Sequence, residues 1–278
     1  MGSEMCIRDR VCTVSMNGIT NMPIVMQDVK LMNSILGKSP YAIKGKSVRG
    51  QPDAVKTEYI PVPRSILERY KDVTICVDVM FVCSVAILVS VSRNIHYGTV
   101  HGLPSTKILI MEEAIQGIVK SYAVRGFLVK FIFVDLQFKA IKDRGNIEGA
   151  IINIVSRDEH VEDIERFIRV LKERARCYWA MLPFAKIPKR MVVHIMLTVS
   201  FYVNAFSPKS GISDHMSPMT IVEGVKLDYN KHFKVIPGEY AQTFEGLDNT
   251  MKERTIGAIA LGPAGNLQGG VQFFSLKT

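Results

Sequence analysis

The chain has 278 residues, of which 47% are hydrophobic, so it can bury a core of domain size and its composition excludes an intrinsically disordered protein. Its 35 basic and 26 acidic residues give a formal charge of +9 at pH 7. This excess favours a polyanionic partner, either a nucleic acid or an anionic membrane surface. A positive charge that serves only solubility is the alternative.

The cysteines indicate a reducing compartment, because none of the five lies in a C-x-x-C pair and no Cys/His group has zinc-finger spacing. Cys76 and Cys83 lie in apolar runs, and we expect both to act as small core hydrophobes. The first ten residues lack the apolar stretch of a signal peptide, so we expect a nuclear or cytoplasmic protein that is not secreted.

The first 69 residues are predicted to precede the main domain. The run IVMQDVKLMNSIL, residues 24–36, predicts a short helix. Residues 38–65 carry scattered lysines and arginines among prolines and glycines, which predicts a basic, extended linker. The main domain is predicted at 70–206, and residues 207–278 alternate like strands around glycine-rich turns and predict a small β-rich appendage.

Within the main domain, strand patterns come first and helix patterns later. The long first helix is expected to begin at a cap on Ser105 or Thr106 and to stop at Gly126. The order implies an α/β fold with a mixed sheet, in which antiparallel hairpins precede helical crossovers. The predicted strands are 73–82, 85–93, 96–102, 128–135 and 150–156, the predicted helices are 105–126, 160–182 and 189–205, and 136–149 is a short helix or loop.

The apolar run from Val73 to Val91 is also long enough to cross a bilayer. Asp78 would then lie in the hydrocarbon, at a cost of about 2.5–3.5 kcal/mol. The run is rich in Val, Ile and Thr, which favours two strands joined near Cys83–Ser84. We therefore expect no membrane partner.

The helix predicted at 160–182 has two faces with different chemistry. A stripe of apolar residues at three- and four-residue steps predicts its buried face. A second face at the same spacing carries one acid followed by three bases. The apolar stripe is Ile164, Phe167, Ile168, Leu171, Ala175 and Tyr178, and the charged face is Glu165, Arg169, Lys172 and Arg176.

Three acids lie in or next to apolar segments, where a carboxylate is unfavourable unless it has a partner. Asp78 lies in the middle of the apolar strand KDVTICVDVMFV, Asp135 ends the strand FIFVDLQF, and Glu165 lies in the first turns of the long helix. A buried carboxylate is costly without a hydrogen bond, a cation or a metal. Carboxylates are the ligands that Mg²⁺ prefers, so the three acids together predict a divalent-metal site.

Each of these residues also has a simpler interpretation. Asp78 is alternatively a buried acid satisfied by the backbone or a lysine, and Asp135 a cap for the following turn. Glu165 is alternatively the i,i+4 partner of Arg169, and the three bases a solvated face. Four further acids are rivals to Glu165, and the helix dipole favours them as a first-turn cluster: Asp158, Glu159, Glu162 and Asp163.

Three blocks, in order, resemble the motif blocks of a known family. CVDVMFV, FVDLQF and SRDEHVEDIERFIRVLKERARC are similar to the ribonuclease H-like core of integrases from copia-type LTR-retrotransposon polyproteins. The segments NMPIVMQDVKLMNSILGKSPYAIKGKSVRG, SPMTIVEGVKLDY, FKVIPGEYAQTF and TIGAIALGP resemble the regions on either side of that core. The resemblance runs from about residue 17 to the C-terminus. It implies a five-stranded mixed sheet flanked by helices.

The resemblance also implies a DDE-type polynucleotidyl transferase that joins DNA ends, with Asp78, Asp135 and Glu165 as catalytic and metal-binding residues. Two Mg²⁺ or Mn²⁺ ions can stabilise the attacking and leaving oxygens of an in-line displacement, and we expect Asp78 to bridge them. Arg169, Lys172 and Arg176 are then expected to bind nucleic-acid phosphates. The implied partners are DNA, with RNA as a further candidate, and other copies of the chain.

The chain departs from the family pattern at three places. The His/His/Cys/Cys zinc module is absent from the sequence, Leu136 stands where a small polar residue or glycine follows the second acid, and Lys139 stands where an acid ends that motif. These departures favour a second hypothesis, a catalytically inactive nucleic-acid-binding remnant. No protease or reverse-transcriptase motif occurs, so we expect a fragment of a longer polyprotein.

Overall fold

The computed structural model describes residues 21–277, apart from 22, 52–53, 56–57, 146, 148, 156–160, 185 and 246–249. The predictions made for the first ten residues and for Asp158 and Glu159 lie outside this part of the chain. The helices are α1 Met26–Leu36, α2 Pro40–Lys46, α3 Arg64–Tyr70, α4 Ile108–Ala123, α5 Lys139–Arg144, α6 Glu162–Met181, α7 Lys189–Asn204, α8 Pro218–Glu223 and α9 Tyr229–His232, with a 3-10 turn at Leu136–Phe138. The strands are β1 Asp72–Val82, β2 Val85–Ser92, β3 Gly98–Leu103, β4 Leu128–Val134, β5 Ile151–Ile154, β6 Tyr240–Phe244, β7 Thr255–Pro263 and β8 Val271–Ser275.

The main sheet has five strands in the order β3-β2-β1-β4-β5. β1 is antiparallel to β2 and parallel to β4, β2 is antiparallel to β3, and β4 is parallel to β5. Helix α4 connects the hairpin strands to β4, and α5 connects β4 to β5. This is the mixed α/β sheet flanked by helices, of the ribonuclease H-like type, that the sequence predicts.

The apolar run that was long enough to span a bilayer is a β-hairpin. Val82 pairs with Val85, so the turn is the dipeptide Cys83–Ser84. Both turn residues have positive φ, 49° and 61°, as a two-residue hairpin turn of the primed type requires. The predicted joint is confirmed, and among the described helices none has the length and apolar character needed to cross a membrane.

The two faces of β1 follow its side-chain alternation. Val73, Ile75 and Val77 pack into the core cluster that includes Ile115 and Ile118 of α4. Cys76 and Met80 pack on the opposite face, in the cluster that includes residues of α6 and α7. Asp78 falls between Cys76 and Met80 in this alternation and therefore belongs to the face that α6 covers.

The predicted stripe of α6 is confirmed. Ile164, Phe167, Leu171 and Ala175 are buried against the sheet and α7. Ile168 and Tyr178 are partly buried at the margins of the same cluster. The charged face of α6 lies beside this buried stripe, at the edge of the core.

Several local expectations were wrong. Cys76 is buried, but Cys83 is exposed because it occupies the hairpin turn. Helix α4 starts after Lys107, one or two residues later than the expected cap. The segment predicted as an extended linker contains the helix α2. This helix begins at Pro40, a position where proline is compatible with a helix, because the first helical turn needs no backbone N–H from it.

The region after residue 207 has helices as well as strands. Ser217 caps α8 by accepting a hydrogen bond from the Thr220 amide, and Gly224 ends the helix with φ at 74°. A second sheet follows, with the order β6-β7-β8 and antiparallel pairing of β6 with β7. The β-rich character predicted for this region is therefore present, although α8 and α9 come before the strands.

The chain divides into two compact units. One contains the described residues of 1–53 together with 240–259 and 275–278. The other contains 54–239 and 260–274, and so includes the complete five-stranded sheet. The division into 1–69, 70–206 and 207–278 remains a prediction.

Candidate metal and nucleic-acid site

Asp78 and Asp135 lie next to each other because of the register of two parallel strands. Val77 of β1 pairs with Val134, the last residue of β4. The residue that follows each of these valines is an aspartate, so Asp78 and Asp135 occupy neighbouring positions at the same height along the two strands. The charge of Asp135 accordingly raises the pKa of Asp78.

The Asp78 carboxylate is half-buried and has two hydrogen-bond donors. Its Oδ1 accepts from the backbone N–H of Val79 at 2.6 Å and from Nε2 of Gln137 at 3.4 Å. Burial raises the pKa of Asp78, and the charges of Asp135 and Glu165 raise it further. The Val79 hydrogen bond and the charge of Lys172 act in the opposite direction on this pKa. Part of the simpler interpretation, satisfaction by the backbone and a lysine, is therefore present.

Asp135 is the residue between β4 and the 3-10 turn, and it is exposed. Its backbone carbonyl accepts a hydrogen bond from Phe138 at 3.0 Å. Within the described residues, its side chain makes no capping hydrogen bond to that turn. The carboxylate itself thus has no capping role here, and the turn is closed by the backbone alone.

Glu165 lies in the first turn of α6, on the exposed side of the helix. Together with Asp78 it lines an open cavity of about 340 Å³. Asp135 influences Asp78 electrostatically but is not among the described residues that line this cavity. Two of the predicted acids therefore face one cavity, and the third lies beside it.

The basic face of α6 lines the same cavity. Arg169, Lys172 and Arg176 surround it together with Ile168. Arg169 and Arg176 are exposed and Lys172 is half-buried. The predicted cations are thus brought next to Asp78 and Glu165, where they favour an anionic ligand.

One of the rival acids has a structural partner. Oδ2 of Asp163 lies 3.0 Å from Nε of Arg93, and the Arg93 guanidinium lies over the Phe133 ring, 4.7 Å from its centroid. This pair joins the start of α6 to the sheet. Asp163 therefore has a role that does not involve the cavity, while Glu162 is exposed.

The chemistry of the three acids suits a divalent metal ion, but their positions in the structure do not form a complete metal site. Three carboxylates suit Mg²⁺ or Mn²⁺. Within the part of the chain that the structure describes, however, no three His, Cys, Asp or Glu side chains are grouped closely enough to hold an ion. Asp135 and Glu165 act electrostatically on Asp78, and among the described residues the three carboxylates do not form a complete ligand cage.

Sequence reasoning missed Gln137 as a member of the site. It lies two residues after Asp135 within FVDLQF, and its amide reaches Asp78 across the strand interface. The signal was its place in the motif block, which brings a polar side chain to the end of the same strand. Gln137 therefore links the segment after Asp135 to Asp78.

The chain was compared with family models, curated proteins and solved structures. No protein-family model and no curated protein matches the chain. Among solved structures, the chain is similar to the catalytic core domain of BIV integrase, with 16% sequence identity and a TM-score of 0.38. That similarity covers 58% of this chain and 97% of the other. The fold described above rests on the strand order and pairing of this chain alone.

Proposed function

We propose that the chain is an integrase-like polynucleotidyl transferase of a copia-type retroelement, which joins DNA ends with the help of divalent metal ions. The observation that supports this most is the convergence of charge at Asp78. Burial raises its pKa most, and the charges of Asp135, at the end of β4, and Glu165, on α6, raise it further. The resemblance of the three motif blocks gives the same three residues.

Asp78, Asp135 and Glu165 are the proposed metal ligands and would together hold two Mg²⁺ or Mn²⁺ ions. Bound ions would supply charge stabilisation for the attacking and leaving oxygens of a phosphodiester. The protein's task is to present three ionised carboxylates. Because burial and like charges disfavour ionisation of Asp78, we expect metal binding to strengthen as pH rises through its raised pKa.

The proposed nucleic-acid contacts are Arg169, Lys172 and Arg176. Their side chains line the cavity next to the acids, and phosphate contacts of this kind position a duplex without reading its sequence. DNA is the proposed substrate, with RNA as a further candidate. Assembly into a homo-oligomer and a location in the nucleus or cytoplasm belong to the same proposal.

Calorimetric titration of the full chain with Mn²⁺ and Mg²⁺, followed by a strand-transfer assay, tests the proposal. Asp78→Asn, Asp135→Asn and Glu165→Gln should each weaken metal binding and reduce strand transfer to the level seen without metal. Asp143→Asn is the matched control, since it changes an exposed carboxylate on α5. Undiminished metal-dependent strand transfer by Asp78→Asn would sink the assignment.

The second candidate is a nucleic-acid-binding remnant without catalysis. The unformed ligand cage, together with Leu136 and Lys139 after the second acid, favours it. This candidate requires salt-sensitive DNA binding that is the same with and without Mg²⁺ and in the Asp78→Asn variant. Both candidates make one further prediction. If one of the three α6 cations is replaced by Gln, the plot of log K for DNA binding against log salt concentration should become less steep by about 1 for each phosphate contact removed.

A further inference from the structure

An apolar cavity continues from the candidate site along α6. Its volume is about 450 Å³, and seven apolar residues line most of it: Phe81, Val82, Ala175, Trp179, Val192, Ile195 and Met196. Lys172 and Arg176 line this cavity as well as the one that contains Asp78 and Glu165. The two cavities therefore share two lining cations and lie side by side along α6, and together they are called the track.

The track follows a single face of the helix. Glu165, Lys172, Arg176 and Trp179 are separated by steps of seven, four and three residues, which keeps them on one side of α6. At a rise of 1.5 Å per residue, Glu165 and Trp179 are about 21 Å apart along the axis. Acids, cations and an aromatic ring thus succeed one another in that order.

The far end of the track exposes aromatic surface that the fold leaves uncovered. Phe81 is 61% exposed although it lies in β1, and Trp179 is partly buried at the edge of the core cluster. The neighbouring turn residues Cys83 and Ser84 both have positive φ without being glycine, asparagine or aspartate. Phe81 therefore lies in the last residues of β1, immediately before a strained two-residue turn.

We propose that this aromatic–cationic cavity, Phe81 and Trp179 with Lys172 and Arg176, binds unpaired nucleotides of the DNA substrate next to the acids. An apolar cavity with cations at its rim suits a nucleobase joined to a phosphate. The base stacks on an aromatic side chain, and the phosphates meet the cations. The inference rests on the nucleic-acid-binding part of the proposed function and adds the substrate class, a DNA end with an unpaired strand.

Trp179 is the single tryptophan of the chain, so its fluorescence reports directly on this cavity. The full chain is titrated without metal with three oligonucleotides of one sequence: a duplex with a short single-stranded end, the same duplex with blunt ends, and the first duplex with abasic sites in its unpaired end. The unpaired end should quench Trp179 and tighten binding about tenfold over the blunt duplex, because stacking of even one base has this effect. The abasic duplex keeps its phosphates and loses only the stacking, so it should bind more weakly than the intact unpaired end and should leave Trp179 unquenched.

Variants separate the cavity from the rest of the surface. Phe81→Ser removes an exposed ring and keeps the Trp179 reporter, so it should lose the preference for unpaired ends while remaining folded. Trp179→Leu should lose the same preference in an anisotropy assay with labelled DNA. Phe206→Ser is the matched control, because Phe206 is 64% exposed and lies outside the cavity.

Equal affinity for blunt and unpaired ends, or equal quenching by the abasic duplex, would overturn the proposal. Dimerisation that Phe81→Ser weakens, seen by sedimentation without DNA and together with no preference for unpaired ends, would overturn it in favour of a second copy of the chain as the occupant. Strand transfer does not enter these measurements. If the preference is present and strand transfer is absent, the cavity proposal stands and the catalytic one fails; the opposite result rejects the cavity alone.

Discussion

The ring of Phe167 lies directly over the backbone of Gly98, so that a Cβ on residue 98 would be 2.0 Å from Cζ of that ring. Gly98 is the first residue of β3, and Phe167 lies two residues after Glu165 on α6. Because glycine has no side chain, Phe167 can pack against the backbone of β3, and α6 can approach the sheet this closely. The contact therefore helps to fix the height of Glu165 relative to Asp78.

Gly98→Ala should destabilise the protein by about 1–3 kcal/mol, because the added methyl group overpacks a buried contact. Denaturant unfolding measures the change. Phe167→Leu in the same chain should recover part of the loss, since the smaller side chain makes room for the methyl group. If the double variant is no more stable than the sum of the two single changes predicts, the two residues are not coupled in this way.

The backbone of Gly98 is also held from α7. Its N–H donates to Oδ1 of Asn204 at 2.9 Å, and its carbonyl accepts from Nδ2 of Asn204 at 2.6 Å and from the Ser200 hydroxyl at 3.1 Å. Asn204 is 3% exposed, so its loss leaves a buried amide without its partner. Asn204→Ala should therefore destabilise the protein by about 1–3 kcal/mol.

Ser200→Ala is the matched comparison for that change. The Gly98 carbonyl would still accept from Asn204, so the expected loss is only about 0.5–1.5 kcal/mol. Equal effects of the two variants in chemical denaturation would mean that the carbonyl, and not the N–H, dominates this contact.

Alternation along the strands predicted the strands themselves, and the three motif blocks named the residues proposed for the site, because both are properties of short stretches of sequence. The period of two places Asp78 on the face opposite Val77, and the 3.6-residue period turns Glu165 away from the core. Contacts such as Gly98 with Phe167 join residues far apart along the chain. No periodicity reports such pairings, so they became visible only in the structure.

Local patterns failed where one residue type fits two environments. The apolar run of β1 continues through Cys83 into β2 without a glycine, asparagine or aspartate to mark the turn. Cys83 therefore looked like a core residue. The surroundings of Asp78 are a different case, since the spacing of the acids does not encode its neighbours Gln137 and Lys172.

The three described cysteines should differ sharply in reactivity. Burial raises the pKa of Cys76 to about 11, so at pH 8 its thiolate is scarce and shielded. Cys83 and Cys177 are exposed. Iodoacetamide at pH 8, followed by peptide mass spectrometry, should modify both in the native protein and reach Cys76 only after denaturation. Modification of native Cys76 at the rate of Cys83 would contradict the burial of β1.

The Tyr97 hydroxyl donates to Oε1 of Glu223 at 2.5 Å. Burial raises the pKa of Glu223 above its usual 4.5, and this hydrogen bond restrains the rise. Tyr97→Phe should therefore raise the pKa of Glu223 further, which an NMR titration of the side-chain carboxyl carbon would detect. The variant should lose more stability at pH 7 than at pH 4, because the hydrogen bond from Tyr97 stabilises the ionised carboxylate more than the protonated one. An unchanged pKa would show that the hydroxyl contributes nothing to it.

Asp78→Asn should stabilise the metal-free protein at neutral pH. The folded-state pKa of Asp78 is raised above 3.8, chiefly by burial and then by Asp135 and Glu165, so the folded chain holds the proton more tightly than the unfolded chain. The stability that this proton contributes is complete below pH 3.8 and is lost as pH rises through the raised pKa. Asparagine cannot ionise and escapes that loss.

Thermal unfolding in a chelator between pH 3.5 and pH 8 measures this difference, with Asp143→Asn as the control. The midpoints of wild type and Asp78→Asn should converge at the acidic end and separate as pH rises, with the variant higher. Mn²⁺ should then reverse the order at pH 7, because only the wild-type carboxylates bind it. An Asp78→Asn midpoint below that of wild type in chelator at pH 7 would mean that the carboxylate is stabilised where it lies, and that Val79 and Lys172 outweigh burial and the two neighbouring acids.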